Sequence, residues 1–221
     1  MRILGSNRPA SNGLAKHVHL PDRQFEVNTL AARDSKDLFQ RVAFNTIDTE
    51  YMARPRTIGT GAAALADGLK VNAVLTTLNL YKNKIGPTGA TALGEALKVN
   101  AVLTNLNLGF NSIGDAGATS LGEALKVAVL TDLNLDSNNI GDKGAAALGE
   151  GLKVNAALTQ LDLEYNDIGD AGATSLGGAL KDAVLTNLNL ADNEIGDAGA
   201  TSLAELQQYR ERGRRRLFVI V

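Results

Sequence analysis

The residue types that most often carry enzyme chemistry are scarce in this chain of 221 residues. It has no cysteine and only two histidines, which excludes a thiolate metal site, a disulfide scaffold and a cysteine nucleophile. His17 and His19, with Asp22 nearby, would share one side of a strand, but a histidine pair without a firm third ligand is usually incidental. No GxGxxG after a strand and no GxxxxGK[ST] occurs, so the glycines give no phosphate-binding loop. We therefore expect no enzyme active site, no metal and no cofactor.

The charged residues divide the chain into three regions. Residues 1–57 hold 9 Lys/Arg and 6 Asp/Glu, residues 58–203 hold 8 and 16, and residues 204–221 hold 5 and 2. The central region also contains 20 of the 23 glycines. These breaks predict a basic N-terminal flank, an acidic centre and a short basic C-terminal cap. A formal net charge of -2 favours no general attraction to nucleic acid.

The acidic centre is an array of similar units. The units open at positions spaced by 28, 27, 28 and 27 residues: Leu75, Leu103, Leu130, Leu158 and Leu185. The shorter units always lack a residue in the same place, as when Lys98-Val-Asn-Ala-Val-Leu103 becomes Lys126-Val-Ala-Val-Leu130. Residues 113–129 and 168–184 differ at only two of 17 positions, Glu123/Gly178 and Val127/Asp182. A partial unit from Ile58 precedes the five full ones, and its strand half is not recognisable.

Each unit reads LxxLxLxxNxIGxxGAxxLxxAL, and two periods coexist in it. In the first unit Leu78 and Leu80 alternate as in a short strand, whereas Ala90, Leu93 and Leu97 follow the spacing of one apolar helix stripe. Glycines between the two segments mark a turn. One strand–turn–helix unit cannot bury its apolar face alone, so the pattern predicts a stack of units with a shared core.

This pattern resembles the ribonuclease-inhibitor-like class of leucine-rich repeats, over about 145 of the 221 residues. The resemblance implies an α/β solenoid, or horseshoe, with parallel β-strands on the concave face and α-helices on the convex face. The repeat regions of NOD-like receptors and of Ran GTPase-activating proteins are also similar. Nothing in the sequence indicates the nucleotide-binding domain of the receptors.

The repeated polar residues and glycines are interpreted as scaffold. One Asn per unit is expected to point inward and bond the backbone where the strand ends: Asn83, Asn111, Asn138, Asn166 and Asn193. One Gly per unit is expected in a tight turn with a positive φ: Gly86, Gly114, Gly141, Gly169 and Gly196. Glutamates three residues before lysines, as in Glu95–Lys98, predict solvent-exposed ion pairs on the helices.

The positions that face out of the predicted concave sheet vary while the framework hardly does. They carry aromatic and acidic side chains, and exposed aromatics on a rigid face are typical interface anchors. The candidate partner-binding residues are Tyr81, Phe110, Asp136, Asp162, Glu164, Tyr165 and Asp192. A metal site among the acidic residues is not favoured, because no EF-hand-like spacing is present.

These residues predict a non-enzymatic scaffold that binds a protein or a basic peptide through an acidic, aromatic-bearing concave face. One alternative is a solvated acidic face, or side-chain amides that form an inter-strand ladder without any partner. Another is regulation of a small GTPase, which the resemblance to Ran GTPase-activating proteins implies. A third is a consensus-like array with no selected ligand.

The flanks are expected to close the ends of the array. In 1–57, which we expect to be partly disordered, one helix is predicted near Leu30–Phe44 as a cap. At the other end, Leu203–Tyr209 should continue the fifth helix to Gly213. Leu217 and Val219 should take framework positions in a sixth strand after a one-residue insertion.

That terminal strand leaves Phe218, Ile220 and Val221 bare at an edge, which invites pairing. It predicts either a homodimer through this edge or an array that continues further. Arg214–Arg216 are expected to keep the strand soluble, rather than to bind nucleic acid. No stretch of 18 apolar residues and no apolar signal segment occurs, so we expect no membrane association and a cytoplasmic location.

Overall fold

The strands form one parallel sheet in which chain order is also spatial order. The computed structural model describes residues 24–26, 58–213 and 216–221. The strands are β1 Gln24–Glu26, β2 Thr77–Asn79, β3 Asn105–Asn107, β4 Asp132–Asn134, β5 Gln160–Asp162, β6 Asn187–Asn189 and β7 Phe218–Ile220. Equivalent residues of successive units lie side by side, because the register holds from β2 to β6.

A helix follows each strand from β2 to β6, and another precedes β2. The helices are α1 Ile58–Val71, α2 Gly86–Leu97, α3 Gly114–Leu125, α4 Asp142–Leu152, α5 Asp170–Ala179 and α6 Asp197–Arg212. Each helix packs against the next one along the chain. The predicted solenoid of parallel strands on one side and helices on the other is confirmed.

The apolar residues of the repeat form one continuous core between the sheet and the helices. The middle residue of each inner strand is at most 2% exposed: Leu78, Leu106, Leu133, Leu161 and Leu188. The helices contribute Ala and Leu from one face, such as Ala118, Leu121 and Leu125 in α3. Burial of each Leu side chain stabilises the fold by roughly 1.5–3 kcal/mol.

Small residues let neighbouring helices approach closely. A Cβ on Gly122 of α3 would lie 2.4 Å from the carbonyl oxygen of Ala147 in α4, which is closer than real contacts allow. Gly122 therefore serves close packing of the helices, which offsets its low intrinsic helix propensity.

The inward-pointing Asn of each unit forms a ladder of buried hydrogen bonds, as predicted. The Asn111 side chain is fully buried. Its Oδ1 accepts the backbone N–H groups of Asn83 and Ile85 at 2.9 and 3.1 Å, while its Nδ2 donates to the carbonyl of Leu80 and to carbonyls of its own turn. The ladder satisfies backbone groups that the three-residue strands leave without a partner.

A second buried amide explains the two repeat lengths. In the longer units Asn100 and Asn155 accept two N–H groups of their own turn, and their Nδ2 atoms donate to the carbonyls of Leu69 and Leu125 in the preceding unit. The shorter units lack this residue. The alternation between 28 and 27 residues therefore reflects whether a unit has an Asn that bonds the preceding unit.

The expectation of a positive φ for the turn glycines is correct for two positions and wrong for three. Gly86 and Gly114 have φ of 65° and 63°, whereas Gly141 has φ of -97°. The Asp115 carboxylate accepts the N–H groups of Gly141 and Gly144, each at 2.8 Å, and this holds the turn in an extended conformation. The same contact recurs from Asp142 to Gly169 and from Asp170 to Gly196.

At the C-terminal end, α6 ends at Gly213 as predicted, but the register of the last strand differs from the prediction. Val219, rather than Leu217, pairs with Leu188. The reason is the length of α6, which has 16 residues where α5 has 10. A two-residue shift preserves the faces of a strand, so Leu217 is still buried.

At the N-terminal end, the sheet begins inside the predicted flank. β1 is parallel to β2 and pairs Phe25 with Leu78, although no strand is recognisable from the pattern of the partial unit. The helix predicted near Leu30–Phe44 and the pair His17 and His19 lie outside the described residues. The boundaries at 57 and 203 stay predictions.

Candidate functional site

The outward positions of the sheet are held by short contacts within each unit. The first and third strand residues are half-buried or exposed around a buried Leu. The side chain of the third residue bonds the backbone two residues later in the chain, as when Asn107 Oδ1 accepts the N–H of Gly109 at 2.9 Å. Some contacts also join neighbouring units, as when Asn134 Nδ2 donates to Asp162 and Asn189 Nδ2 donates to Glu164. The outward surface is therefore positioned mainly by its own turns.

Two of the candidate aromatics form a pair at the N-terminal part of this surface. The rings of Tyr81 and Phe110 lie 5.1 Å apart, edge to face at 64°. The ammonium of Lys82 lies 5.1 Å from the Tyr81 ring centroid and 4.7 Å from that of Phe110. Lys82 was not among the predicted site residues, and it gives this aromatic pair (Tyr81 and Phe110) a positive charge.

Gly109 joins the aromatic pair to the acidic residues. A Cβ at this buried glycine would overlap the Asp136 carboxylate and lie 3.0 Å from the Tyr81 ring. Because Gly109 has no side chain, the Asp136 carboxylate can lie over the turn after β3, towards Tyr81. The aromatic and acidic parts form one continuous surface.

Four carboxylates on β4, β5 and the turns after them form an acidic strip, namely Asp132, Asp136, Asp162 and Glu164. Burial raises the pKa of Asp136 above its usual range, and the charges of Asp162 and Glu164 raise it further. The pKa of Asp132 is raised in the same way, first by burial and then by Asp162. The fold thus holds like charges together where water screens them incompletely.

The remaining two candidates meet at the C-terminal side of the strip. Tyr165 is 58% exposed, and the charge of Asp192 together with a hydrogen bond raises the pKa of the Tyr165 hydroxyl. The seven predicted residues therefore lie on one face in three groups: the aromatic pair, the acidic strip and this Tyr165–Asp192 pair.

Two of the aromatics occupy a backbone conformation that suits them poorly. Phe110 and Tyr165 have φ of 57° and 50°, in the left-handed region. Every unit has a positive φ at this position, where Lys82, Ser137 and Asp192 stand in the others. An L-residue there costs roughly 1–2 kcal/mol, and Asn or Gly is the usual occupant. We therefore expect Asn or Gly at these positions to stabilise the fold.

Sequence reasoning missed two apolar residues of the concave face. Because Val219 pairs with Leu188, Phe218 and Ile220 continue the outward rows of Asn187 and Asn189, and they are 62% and 59% exposed. They line one end of a groove of about 330 Å³ whose other wall includes Asp132 and Asp162. The alternation Leu-Phe-Val-Ile contained this signal, since residues between framework positions must face outward.

The described residues, 24–26, 58–213 and 216–221, hold neither a membrane-spanning helix nor a metal cluster. Within these ranges no helix is long and apolar enough to cross a membrane. In the same part of the chain no group of three His, Asp or Glu side chains is arranged to hold a metal ion.

Comparisons with known proteins agree with this architecture. The leucine-rich repeat profile matches residues 71–94, 99–122, 128–149, 154–177 and 182–204. A search of curated protein sequences finds no match. Among solved structures, the actin-binding site 2 of leiomodin-1 has the same fold with a TM-score of 0.58 and 24% identity, covering 73% of this chain and 94% of that one. The chain belongs to the leucine-rich repeat family.

Proposed function

We propose that this chain is a non-enzymatic scaffold that binds a basic protein or peptide through its concave face. The binding residues of this proposal are Tyr81, Phe110, Asp136, Asp162, Glu164, Tyr165 and Asp192, extended by the missed Phe218 and Ile220. The leiomodin-1 domain is named for a protein partner, actin, which supports protein recognition by this fold. A cytoplasmic location belongs to the same proposal.

The acidic strip carries the proposal. Asp132 and Asp136 have raised pKa values because burial and neighbouring carboxylates destabilise their charged forms. A Lys or Arg of a partner, placed among these carboxylates, would relieve their mutual repulsion. The charge pattern therefore lowers the stability of the free protein and stabilises a complex.

The apolar groups on both sides of the strip suggest what else the partner presents. Tyr81, Phe110 and Tyr165 lie before it or beside it, and Phe218 and Ile220 lie after it, all at least 36% exposed. Rigid exposed aromatics supply contact area at little entropic cost. We therefore propose an extended segment with basic residues at its centre and apolar residues towards its ends.

Paired capture experiments test this assignment. The triple variant Asp136→Asn/Asp162→Asn/Glu164→Gln removes three charges from the concave face. Its control is Glu95→Gln/Glu123→Gln/Glu150→Gln, which removes three from the helices. We expect the first variant to lose partners that high salt also releases, and the control to keep them. Identical capture by both variants would overturn the concave assignment. Actin pelleting is run beside it, because the fold is shared with an actin-binding domain.

Among the described residues no strand pairs with the outer edge of β7, and this edge supports a homodimer as part of the proposal. The N–H of Phe218 donates to Thr186, and the carbonyl of Ile220 accepts from Leu190, both on the side of β6. The N–H and the carbonyl of Val219 therefore point to the opposite, outer edge. Val219→Pro removes a donor from that edge and leaves the β6 contacts. We expect concentration-dependent dimers of the wild type in sedimentation velocity and monomers of the variant. A wild type that is monomeric at all concentrations contradicts the dimer.

The alternative of GTPase regulation is favoured by no contact in the described part of the chain. The same purified protein, assayed for stimulation of GTP hydrolysis by candidate small GTPases, separates the two functions. Stimulation that survives loss of the acidic strip would contradict the scaffold proposal.

A further inference from the structure

A cleft on the helical side of the array, opposite the acidic strip, is not used by the proposed function. It lies between α5 and α6 and has a volume of about 440 Å³. We call it the convex cleft and define it by Thr174, Gly178, Lys181, Ser202, Tyr209 and Arg212, all of which line it.

One repeated side chain is missing from the wall of the cleft. In three other units a glutamate near the end of the helix pairs with the lysine three residues later, as Glu123 does with Lys126 at 2.8 Å. In the fifth helix Gly178 stands in the place of that glutamate, and Lys181 in the place of the lysine. A Cβ added to Gly178 would meet no atom within 4 Å, so the missing carboxylate leaves space behind.

The cleft residues favour an anion in that space. The Lys181 ammonium lies 5.9 Å from the ring centroid of Tyr209, over its face, and Arg212 lines the same cleft. The hydroxyls of Thr174 and Ser202 add possible donors. Among the described residues that line the cleft, Glu205 is the one acidic side chain, so these charged groups, with Lys181 and Arg212, sum to a single positive charge. That balance suits a carboxylate better than a doubly charged phosphate.

The position of α6 is fixed at the same place. Arg210 is 3% exposed, and its guanidinium donates to the carbonyl of Leu180 at the end of α5, at 3.3 Å. It occupies the role of Asn155, which donates to Leu125 thirty residues earlier in the chain. A buried side chain therefore joins the end of α5 to α6, the two helices between which the cleft lies, and the opening needs no movement of the helices.

We propose that the convex cleft binds the carboxylate of a Glu or Asp side chain from an acidic segment of another protein. The incoming carboxylate replaces the one that Gly178 removes and pairs with Lys181 and Arg212. This site is separate from the concave face and takes a ligand of opposite charge, so it does not rest on the proposed function.

Titration of the isotope-labelled full chain followed by amide NMR tests the proposal. The probes are an acetylated, amidated tetraglutamate peptide, the matching tetraglutamine peptide, and acetate. We expect tetraglutamate to shift the amides of Gly178, Lys181, Ser202 and Tyr209, and to bind at least tenfold more tightly than tetraglutamine. Equal binding of the two peptides would overturn the charge argument, and acetate binding as tightly as tetraglutamate would overturn the assignment to a protein segment.

Two variants locate the site. Gly178→Glu restores the internal carboxylate on a helix surface with free space, and we expect it to fold and to weaken tetraglutamate binding at least tenfold. Lys126→Gln is the matched control, because Lys126 is already paired with Glu123, and binding should not change. Shifts confined to the N-terminal flank or to Arg214 and Arg215, or unchanged binding by Gly178→Glu, would refute the convex cleft as the site.

Discussion

Asn111 and Phe110 are neighbours in the chain, yet the structure uses them in opposite ways. Asn111 is completely buried, and its amide bonds the backbone of two units. Phe110 is 43% exposed and has a left-handed backbone. The framework position carries a side chain that bonds the buried backbone, whereas the outward position carries a residue that its backbone conformation disfavours. That difference separates residues selected by folding from candidates for recognition.

The largest expected effect comes from breaking the framework side of this comparison. Asn111→Ala leaves the N–H groups of Asn83 and Ile85 and the carbonyl of Leu80 buried without that partner. We expect a loss of about 3–5 kcal/mol in the free energy of unfolding, measured by urea denaturation.

The outward residue Asn107 provides the control for this loss. It accepts one N–H, from Gly109, on the half-buried face. Asn107→Ala should cost about 1 kcal/mol. Equal losses in the two variants would contradict the distinction between buried ladder and outward surface.

A second prediction concerns acidic residues that serve the fold although they are near the surface. Asp142 accepts the N–H groups of Gly169 and Gly172 at the start of the next helix, each at 2.8 Å. Asp142→Ala should cost about 1–2 kcal/mol, as the loss of a strong helix cap does. It should also increase hydrogen exchange at both glycine amides.

The turn of Gly114 shows what the loss of this cap would do. In the unit that precedes Gly114, Pro87 occupies the position that is Asp in the later units, so Gly114 has no such carboxylate. Its φ is positive, at 63°. Asp197 is the control, because no helix follows α6 within the described ranges, and Asp197→Ala should cost less than about 0.5 kcal/mol. Equal effects of the two substitutions would show that the carboxylate acts within its own helix instead.

The sequence predicts the framework well because each repeated residue meets the same surroundings in every unit. The core Leu residues, the inward Asn residues and the Glu–Lys pairs are all found where the pattern places them. The turn glycines are predicted less well, since their φ depends on a carboxylate that lies about 26 residues earlier. A pattern read within one unit does not contain that contact.

The pattern predicts which residues face outward from the sheet, but it does not predict which of them contact one another. The sequence placed seven residues on one surface, but the role of Gly109 depends on contacts with Tyr81 and Asp136 in the units on either side. Phe218 and Ile220 were missed because a terminal apolar strand was interpreted only as an edge. The length of α6 also shifted its register by two residues relative to the predicted pairing.

For Asp136 on the outward surface we expect a smaller effect on stability, and this effect should depend on pH. Burial raises the pKa of Asp136 in the folded protein, so between the unfolded and folded pKa values the native state binds more protons. The contribution of Asp136 to stability therefore falls as pH rises through that window. Asp136→Asn should stabilise the fold by about 0.5–1 kcal/mol at pH 7. The gain should disappear below about pH 3, where both states are protonated.

Glu123 gives the control of opposite sign. Its hydrogen bond to Lys126 lowers the pKa of this carboxyl, so its contribution is present at neutral pH and is lost as pH falls through the folded pKa. Glu123→Gln should slightly lower the melting temperature at pH 7 and leave it unchanged in acid. Thermal melts of both variants at several pH values check the two signs. A destabilised Asp136→Asn at pH 7 would remove the main support for the acidic strip as a binding surface.

The smallest effect tests whether an aromatic residue is retained against the preference of the backbone. Tyr165 has φ of 50° and a largely exposed side chain, so Asn, which tolerates this conformation, should fit the turn better. We expect Tyr165→Asn to raise the melting temperature by about 1–2 °C, the result of a small gain in a chain of this length. The same change should weaken partner binding.

Tyr81 separates this backbone effect from the general effect of removing an aromatic ring. It is outside the positive-φ positions and packs edge to face against Phe110. Tyr81→Asn should therefore lower the melting temperature, because the ring contact is lost without relief of backbone strain. If Tyr165→Asn also destabilises the protein, the ring stabilises its own turn, and its presence there needs no partner. If it stabilises the protein while binding weakens, stability and recognition make opposite demands on one residue, as expected at a functional surface.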